Sequence, residues 1–324
     1  MTHPGPDRTP PLVGRLAPSP TGLLHLGHAR TFLLAWWSIR SRGGRVLLRI
    51  EDLDTPRASG EHRDALLRDL EWLGLDWDGV VSVQSEHLER FEAATERLLE
   101  MGRAYACVCT RGDLRTAQSA PHQGDREPRY PGTCRGRFGS RAEAELASGR
   151  AAGVRLWVPA GDVTVKDALA GHFTLDVQAS IGDFLLGRRG GAPAYQLAVV
   201  VDDAEAGVTE VLRGDDLLPS SVRQWHVQEA LGLPHPTWVH VPLVLDDHGQ
   251  RLAKRADSLS LAELRARGTD ARAVARWAAE SAGLAGAALA TAADLTPLFR
   301  LDRLSRDPVR VDGAALERLV AARS

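Results

Sequence analysis

The segment Arg15-Leu-Ala-Pro-Ser-Pro-Thr-Gly22-Leu-Leu-His25-Leu-Gly27-His28 constrains this chain more than any other. Val13–Leu16 reads as a short strand and Ala17–Gly22 as a loop shaped by proline and glycine. A helix is expected from near His25 to about Arg42, with Leu26, Ala29, Phe32, Leu33, Trp36 and Trp37 at helical spacing. The first turn of such a helix has unpaired backbone N–H groups and the positive end of the helix dipole, and both attract phosphate. His25 and His28 are three apart and share one face of that turn. Their ring N–H groups can follow a phosphate as charge develops on it, and Gly27 lets a flat base or ribose approach the backbone. The plain alternative is a helix start with two surface histidines beside a tight loop.

Further on, Gly43–Gly44 ends the helix, Arg45–Ile50 reads as an apolar strand, and helices are expected at 60–73 and about 87–101. This alternation points to an α/β fold with a parallel sheet. It breaks between about Cys107 and Gly153, where the loop Gln118–Gly139 is rich in Gly, Pro and Arg, and short strands follow at Val154–Val158 and Val163–Lys166. We read an insertion over 107–180. Alternation resumes with a strand or helix entry at Tyr195–Val201, a strand at Val208–Leu212, a helix at Leu217–Leu231 and a strand-like run at Val241–Leu245. Beyond Lys254 the Ala/Arg/Leu-rich chain is expected to be helical throughout. The divisions are therefore a loose tail at 1–11, a first catalytic half at 12–106, the insertion, a second half at 181–256 and a helical domain at 257–324.

A net charge of −2 does not mark a nucleic-acid binder, although a neutral body can carry a local basic surface. The apolar runs are too short to span a membrane, so a cytoplasmic location without a membrane partner is expected. Lysine occurs only at Lys166 and Lys254, which makes a lysine at a chemically plausible place informative in an arginine-rich chain.

The segment Gly14–Arg57, closing on Arg49-Ile-Glu51-Asp-Leu-Asp-Thr-Pro-Arg57, closely resembles the glutamyl-tRNA synthetase family. That family's HIGH signature here reads His25-Leu26-Gly27-His28. The resemblance implies a Rossmann-like class I synthetase fold (HUP-type). It assigns ATP to His25, Gly27, His28 and Lys254, with magnesium on the nucleotide. Arg251-Leu-Ala-Lys254-Arg255 stands where the second signature, KMSKS, belongs. Lys254 matches its most important cation, whereas Arg251 replaces the first lysine and both serines are absent (Ala253, Arg255). The same resemblance places Arg15, Ala17, Ser19, Tyr195 and Arg213 against glutamate, with Glu51 facing its ammonium group. Arginine forks suit carboxylates; which arginine reads the side chain stays open. His25, His28 and Lys254 are then transition-state stabilisers for in-line attack of the glutamate α-carboxylate on the α-phosphorus of ATP.

Cys107, Cys109 and Cys134 lie in one short segment with Tyr130, and an odd cysteine count argues against a disulfide framework. Thiolates bind zinc, and four ligands make a closed structural site; buried cysteines are the plain alternative. Similar glutamyl enzymes carry zinc here on a Cys-x-Cys and a later Tyr-x-x-x-Cys, which implies Cys107, Cys109, Tyr130 and Cys134 as ligands, with His122 the substitute for Tyr130.

Only about seventy residues follow Lys254, too few for the anticodon-binding domain of a complete glutamyl-tRNA synthetase. The chain resembles the truncated paralogues of that family, the glutamyl-queuosine tRNA(Asp) synthetases. This implies transfer of glutamate to queuosine in the anticodon of tRNA(Asp) by a monomer that activates glutamate without tRNA. Single-stranded loops are read by stacking and arginine contacts, and Arg126, Arg129, Arg135, Arg137 and Arg141 are candidate phosphate contacts. A compact synthetase charging the terminal ribose and a non-catalytic RNA-binding paralogue are the alternatives.

Overall fold

The structure, a computed structural model, describes residues 11–53, 58, 60–117, 129–250, 252, 260–284 and 290–322. It begins with β1 (Val13–Leu16), α1 (Leu26–Arg40), β2 (Arg45–Ile50), α2 (Gly60–Trp72), β3 (Ser82–Val83) and α3 (Leu88–Glu100). Next come β4 (Ala104–Cys107), α4 (Arg111–Ala117), α5 (Arg141–Ser148), β5 (Gly153–Leu156), β6 (Val163–Asp167), β7 (Gly171–Leu175), α6 (Val177–Ser180) and β8 (Leu185–Gly187). The second half holds α7 (Tyr195–Glu205), β9 (Glu210–Gly214), α8 (Leu218–Leu231), β10 (Thr237–Val241) and β11 (Val244–Leu245). The remaining elements are α9 (Leu261–Ala266), α10 (Ala271–Ser281), α11 (Ala292–Leu295), β12 (Val309–Arg310) and α12 (Gly313–Ala321). Among the described residues no helix is long and apolar enough to cross a membrane.

Strands β1, β2 and β3 form a parallel sheet, with Val13 opposite Arg45 and Ile50 opposite Val83. A second sheet has the order β7-β6-β10-β9, in which β9 and β10 are parallel and β6 and β7 form an antiparallel hairpin. The two sheets meet at β1 and β9. There the Thr209 N–H donates to the Val13 carbonyl at 2.9 Å, and the Val13 N–H donates to Thr209 Oγ1 at 2.9 Å. From this seam the connections leave in opposite directions, β1 to β2 and β9 to β10. In an open α/β sheet such a reversal opens a crevice beyond the carboxyl ends of the strands, and ligands bind there.

Helix α1 is buried nearly all round. Leu26, Ala29, Leu33 and Trp37 have no exposed surface, as expected for a core helix rather than a surface one. Against α1 packs α10, whose buried Val274, Ala275, Ala278 and Ala279 make a continuous small-residue stripe. Trp37 Nε1 donates to the Ala292 carbonyl at 2.8 Å, and the buried Arg30 donates to Ser281 Oγ at 2.8 Å and to the Pro242 carbonyl at 2.9 Å. The segment after residue 260 is thus fastened to the helix that begins at His25.

Three local expectations are revised. The strand expected at Val208–Leu212 starts two residues later, at Glu210, because the Val208 N–H closes the end of α7 on the Asp203 carbonyl at 2.8 Å. The apolar run Val241–Leu245 is split, since Pro242 has no N–H to give a ladder. The helical tail contains one strand, β12, paired in parallel with β11. Within the expected insertion, β6 reaches back to pair with β10, Asp167 opposite Trp238.

Candidate active site

A cavity of about 430 Å³ opens at the carboxyl ends of β1 and β9, within the range of small-ligand sites. Arg15, Ala17, Ser19, His25, Gly27, His28, Glu51, Tyr195 and Arg213 all line it, so residues far apart in the chain share one space. Lys254, with Arg251, Ala253 and Arg255, lies outside the described residues. Its described neighbours are close to the site: Leu252 lines the cavity, and Ser260 bridges to His25.

The two histidines organise the start of α1. His25 is the N-cap; its Nδ1 accepts the Gly27 N–H at 3.2 Å, while His28 Nδ1 accepts the His25 N–H at 3.3 Å. A ring nitrogen that accepts carries no proton, so each neutral ring holds its proton on Nε2. The rings lie 3.8 Å apart between centroids. Gly27 has a steric reason beside its expected closeness to a nucleotide. A Cβ there would stand 3.1 Å from His25 Cε1 and 3.2 Å from Nδ1, forcing the ring away from the helix start.

The lining also carries charge, at Arg15, Glu51 and Arg213. Glu51 follows β2 directly, and its N–H donates to the Pro18 carbonyl at 3.0 Å, tying it to the 17–22 loop. Arg49 forms the hub of a buried network, 2.5 Å from Asp203, 2.9 Å from Glu51 and 3.5 Å from Asp202. Arg15 meets Asp203 at 3.4 Å. Burial alone would raise the Asp203 carboxyl, but Arg49 and Arg15 overcome it and hold the group below the ordinary range. For Asp202 burial prevails over Arg49, and its carboxyl is pushed up to about 6.

Arg213 is held differently. Its Nε donates to His240 Nε2 at 3.0 Å and its Nη2 to Ser221 Oγ at 2.9 Å, and the guanidinium lies 4.9 Å from the Trp238 ring centroid. Its buried Nη1 has no hydrogen-bond partner among the described residues. Burial, with Arg15 nearby, lowers the Arg213 pKa, while burial and Glu51 raise that of Tyr195.

The arrangement matches a known family along most of the chain. Residues 11–286 fit the model of the catalytic domain of class I tRNA synthetases (E and Q). The chain belongs to the class I tRNA synthetases (E and Q). Among curated members, it is 47% identical over 272 residues to the Glutamyl-Q tRNA(Asp) synthetase of Nocardia farcinica, covering 84% of this chain and 85% of that protein. Identity is 43% over 318 residues with the protein of that name from Symbiobacterium thermophilum, covering 95% and 98%. A Glutamate--tRNA ligase of Nitratidesulfovibrio vulgaris is 43% identical over 253 residues, 78% of this chain but 53% of that one. The solved glutamate tRNA ligase of Elizabethkingia meningosepticum, in complex with its amino acid, superposes with a TM-score of 0.82 at 25% identity, over 95% of this chain and 68% of that one.

Away from the cavity, this synthetase carries its three cysteines in one cluster, all Sγ atoms lying within 4.8 Å of one another. Cys109 and Cys134 are 3.5 Å apart, and Tyr130 Oη lies 3.4 Å from Cys107 Sγ and 3.8 Å from Cys109 Sγ. Burial and the thiol of Cys107 push Cys109 up to about 12, whereas hydrogen bonds from the main chain and from Tyr130 outweigh burial and hold Cys134 below the ordinary thiol range. Arg155 supplies outer-shell charge, donating to Cys107 Sγ at 3.2 Å and lying 3.8 Å from the Tyr130 ring centroid. The three thiols are a donor set that suits a zinc ion, and Tyr130 Oη stands beside them, accepting the Cys134 N–H at 2.8 Å. His122 lies outside the described residues.

Arg129 is hydrogen-bonded to Gln178, and two further candidate RNA contacts are paired with acids. Arg135 Nε donates to Asp183 at 2.8 Å, and Arg141 is paired with Glu92 and Glu96, so both charges are compensated within the fold. Arg126 lies outside the described residues. Sequence reasoning missed Arg49, Asp202 and Asp203. The signal was two acids inside the apolar run of α7, seven and eight residues after Tyr195 and so on its helical face.

Proposed function

We propose that this chain activates L-glutamate with ATP, as glutamyl-adenylate, and transfers the glutamyl group to queuosine in the anticodon of tRNA(Asp). The observation that carries the reading is the shared cavity at the β1–β9 seam. It brings the His-x-Gly-His turn to the same space as Arg15, Glu51, Tyr195 and Arg213. In this reading Glu51 meets the substrate ammonium. Arg213, whose hydrogen-bond acceptors His240, Ser221 and the Leu217 carbonyl are all neutral groups, reads the side-chain carboxylate.

The α-carboxylate of glutamate then attacks the α-phosphorus of ATP in line and pyrophosphate departs. His25 and His28 donate from Nε2 to the phosphate oxygens as charge builds there, and Lys254 adds a cation from the second signature. Magnesium enters with ATP. No protein nucleophile is needed, because a hydroxyl of the queuosine cyclopentenediol can attack the glutamyl carbonyl of the mixed anhydride directly, breaking its bond to the phosphate oxygen and releasing AMP. Cys107, Cys109, Tyr130 and Cys134 hold one structural zinc ion that shapes the insertion at 107–180. The helical segment at 257–324 serves as a short domain resembling a stem-contact domain, and the enzyme works as a cytoplasmic monomer.

Queuosine is preferred to the terminal ribose because relatives that this chain matches over 85% and 98% of their own length are named for that reaction. The test is transfer of labelled glutamate, with ATP and magnesium, to tRNA from cells with and without queuosine. Label confined to queuosine-containing tRNA is expected. Equal label in both pools would point to the terminal ribose, and absence of glutamate-dependent pyrophosphate exchange would leave only an RNA-binding role.

A further inference from the structure

Behind Arg213, and outside the cavity lining, sits a fully buried acid–imidazole pair. Asp167 ends β6 and His240 lies in β10, and neither side chain has exposed surface. His240 Nδ1 is 2.6 Å from Asp167 Oδ2. The other oxygen, Oδ1, accepts the Leu169 N–H at 2.9 Å and the Ala170 N–H at 2.7 Å. The His240 N–H also reaches Oδ1 at 3.2 Å and Oδ2 at 3.1 Å, so main chain holds both oxygens and the imidazole adds the short contact to Oδ2. A carboxylate can only accept, so Nδ1 must donate. The proton of the neutral ring is then on Nδ1, and Nε2 keeps the lone pair that the Arg213 Nε–H reaches at 3.0 Å.

We infer that the Asp167–His240 pair is the positioning device of Arg213, fixing the imidazole tautomer so that a neutral acceptor orients the guanidinium while leaving its charge for a carboxylate side chain. The inference rests on the glutamate reading of the cavity and adds how that preference is built. A carboxylate placed directly on Arg213 would orient it equally well but would neutralise it, as Asp203 does for Arg49. Interposing a ring separates orientation from neutralisation. Ser221, the second acceptor, is neutral too. Burial lowers the pKa of His240, and Arg213 lowers it further against the pull of Asp167, which keeps the ring neutral.

Three substitutions separate this role from simple packing. His240→Leu removes the acceptor. His240→Gln can return an oxygen near the position of Nε2. In Asp167→Asn the amide oxygen stays with the Leu169 and Ala170 N–H groups, so the NH2 faces Nδ1. The ring proton is then driven to Nε2, against the Arg213 N–H, a tautomer reversal of the kind that disables other acid–imidazole pairs.

Pyrophosphate exchange should show the KM for glutamate raised about tenfold or more by His240→Leu and Asp167→Asn, with the KM for ATP nearly unchanged and His240→Gln recovering most of the loss. Equal rises in both KM values, or no recovery with glutamine, would overturn the inference. Histidine-labelled 15N spectra of the unsubstituted protein give a readout independent of activity, the His240 resonance being assigned by its loss in His240→Gln. An Nδ1–H ring is expected, and an Nε2–H ring would overturn the relay. If exchange in the unsubstituted protein did not depend on glutamate, the reading of the cavity would fall, and the spectra would still decide the relay.

Discussion

Arg15 and Arg213 carry the same charge into the cavity, yet one faces a buried carboxylate and the other faces an imidazole and a hydroxyl. Arg213→Ala is therefore expected to raise the glutamate KM by roughly 10–100-fold in pyrophosphate exchange, the worth of a charge-assisted hydrogen bond in a desolvated site. Arg213→Lys should recover little, because a point charge cannot keep both the His240 and the Ser221 contacts. Gly27→Ala tests the histidine turn. By crowding His25 it should lower kcat by about tenfold with a smaller effect on the glutamate KM, and equal changes in the two would count against a transition-state role. Arg15, Glu51 and the histidines were legible in sequence because they stand within or beside compact motifs. Asp167, Ser221 and His240 were not. They are scattered across three elements, and only the folding of β6 against β10 makes them neighbours.

At the scale of elements, α9 is seated from two sides. Ser260 caps it in a box with Glu263, while Arg265 reaches the buried Asp69 of α2 at 2.8 Å. Burial pushes the Asp69 carboxyl up to about 6, against Arg265 and Arg68. Because the folded pKa lies above the unfolded one, this group's contribution to stability is complete below the unfolded pKa. It is lost as the pH rises through about 6. Asp69→Asn should remove that dependence, so its urea midpoint should gain on the parent between about pH 4 and 7. Parallel midpoint curves would show that Asp69 titrates normally. Strand and helix alternation, and the stripe of α1, could be read from periodicity. The β6–β10 pairing and β12 could not, since two- and five-residue strands carry little pattern and their partners lie far away in the chain.

Over the whole molecule, the seam between β1 and β9 sets the cavity and the cysteine cluster stands apart from it. Stripping metal with a chelator, or replacing Cys134 with Ser, should release about one zinc ion per chain and lower the Tm. Gly182→Ala should do the same without replacing a ligand side chain. Gly182 has φ +77°, and a Cβ there would collide with the Tyr130 carbonyl. Retention of zinc and an unchanged Tm in that variant would show that the Tyr130 backbone can move aside.

The pairing of β11 with β12 bears on how the chain can be shortened or tagged. The Val309 N–H donates to the Leu243 carbonyl at 3.2 Å and the Val311 N–H to that of Leu245 at 2.9 Å, and Leu243 and Val244 line the cavity. A version cut just before Val309 would keep every cavity residue named above while losing the strand that braces one wall. Such a fragment should bind glutamate poorly by calorimetry, and a fusion joined inside this strand should fare no better.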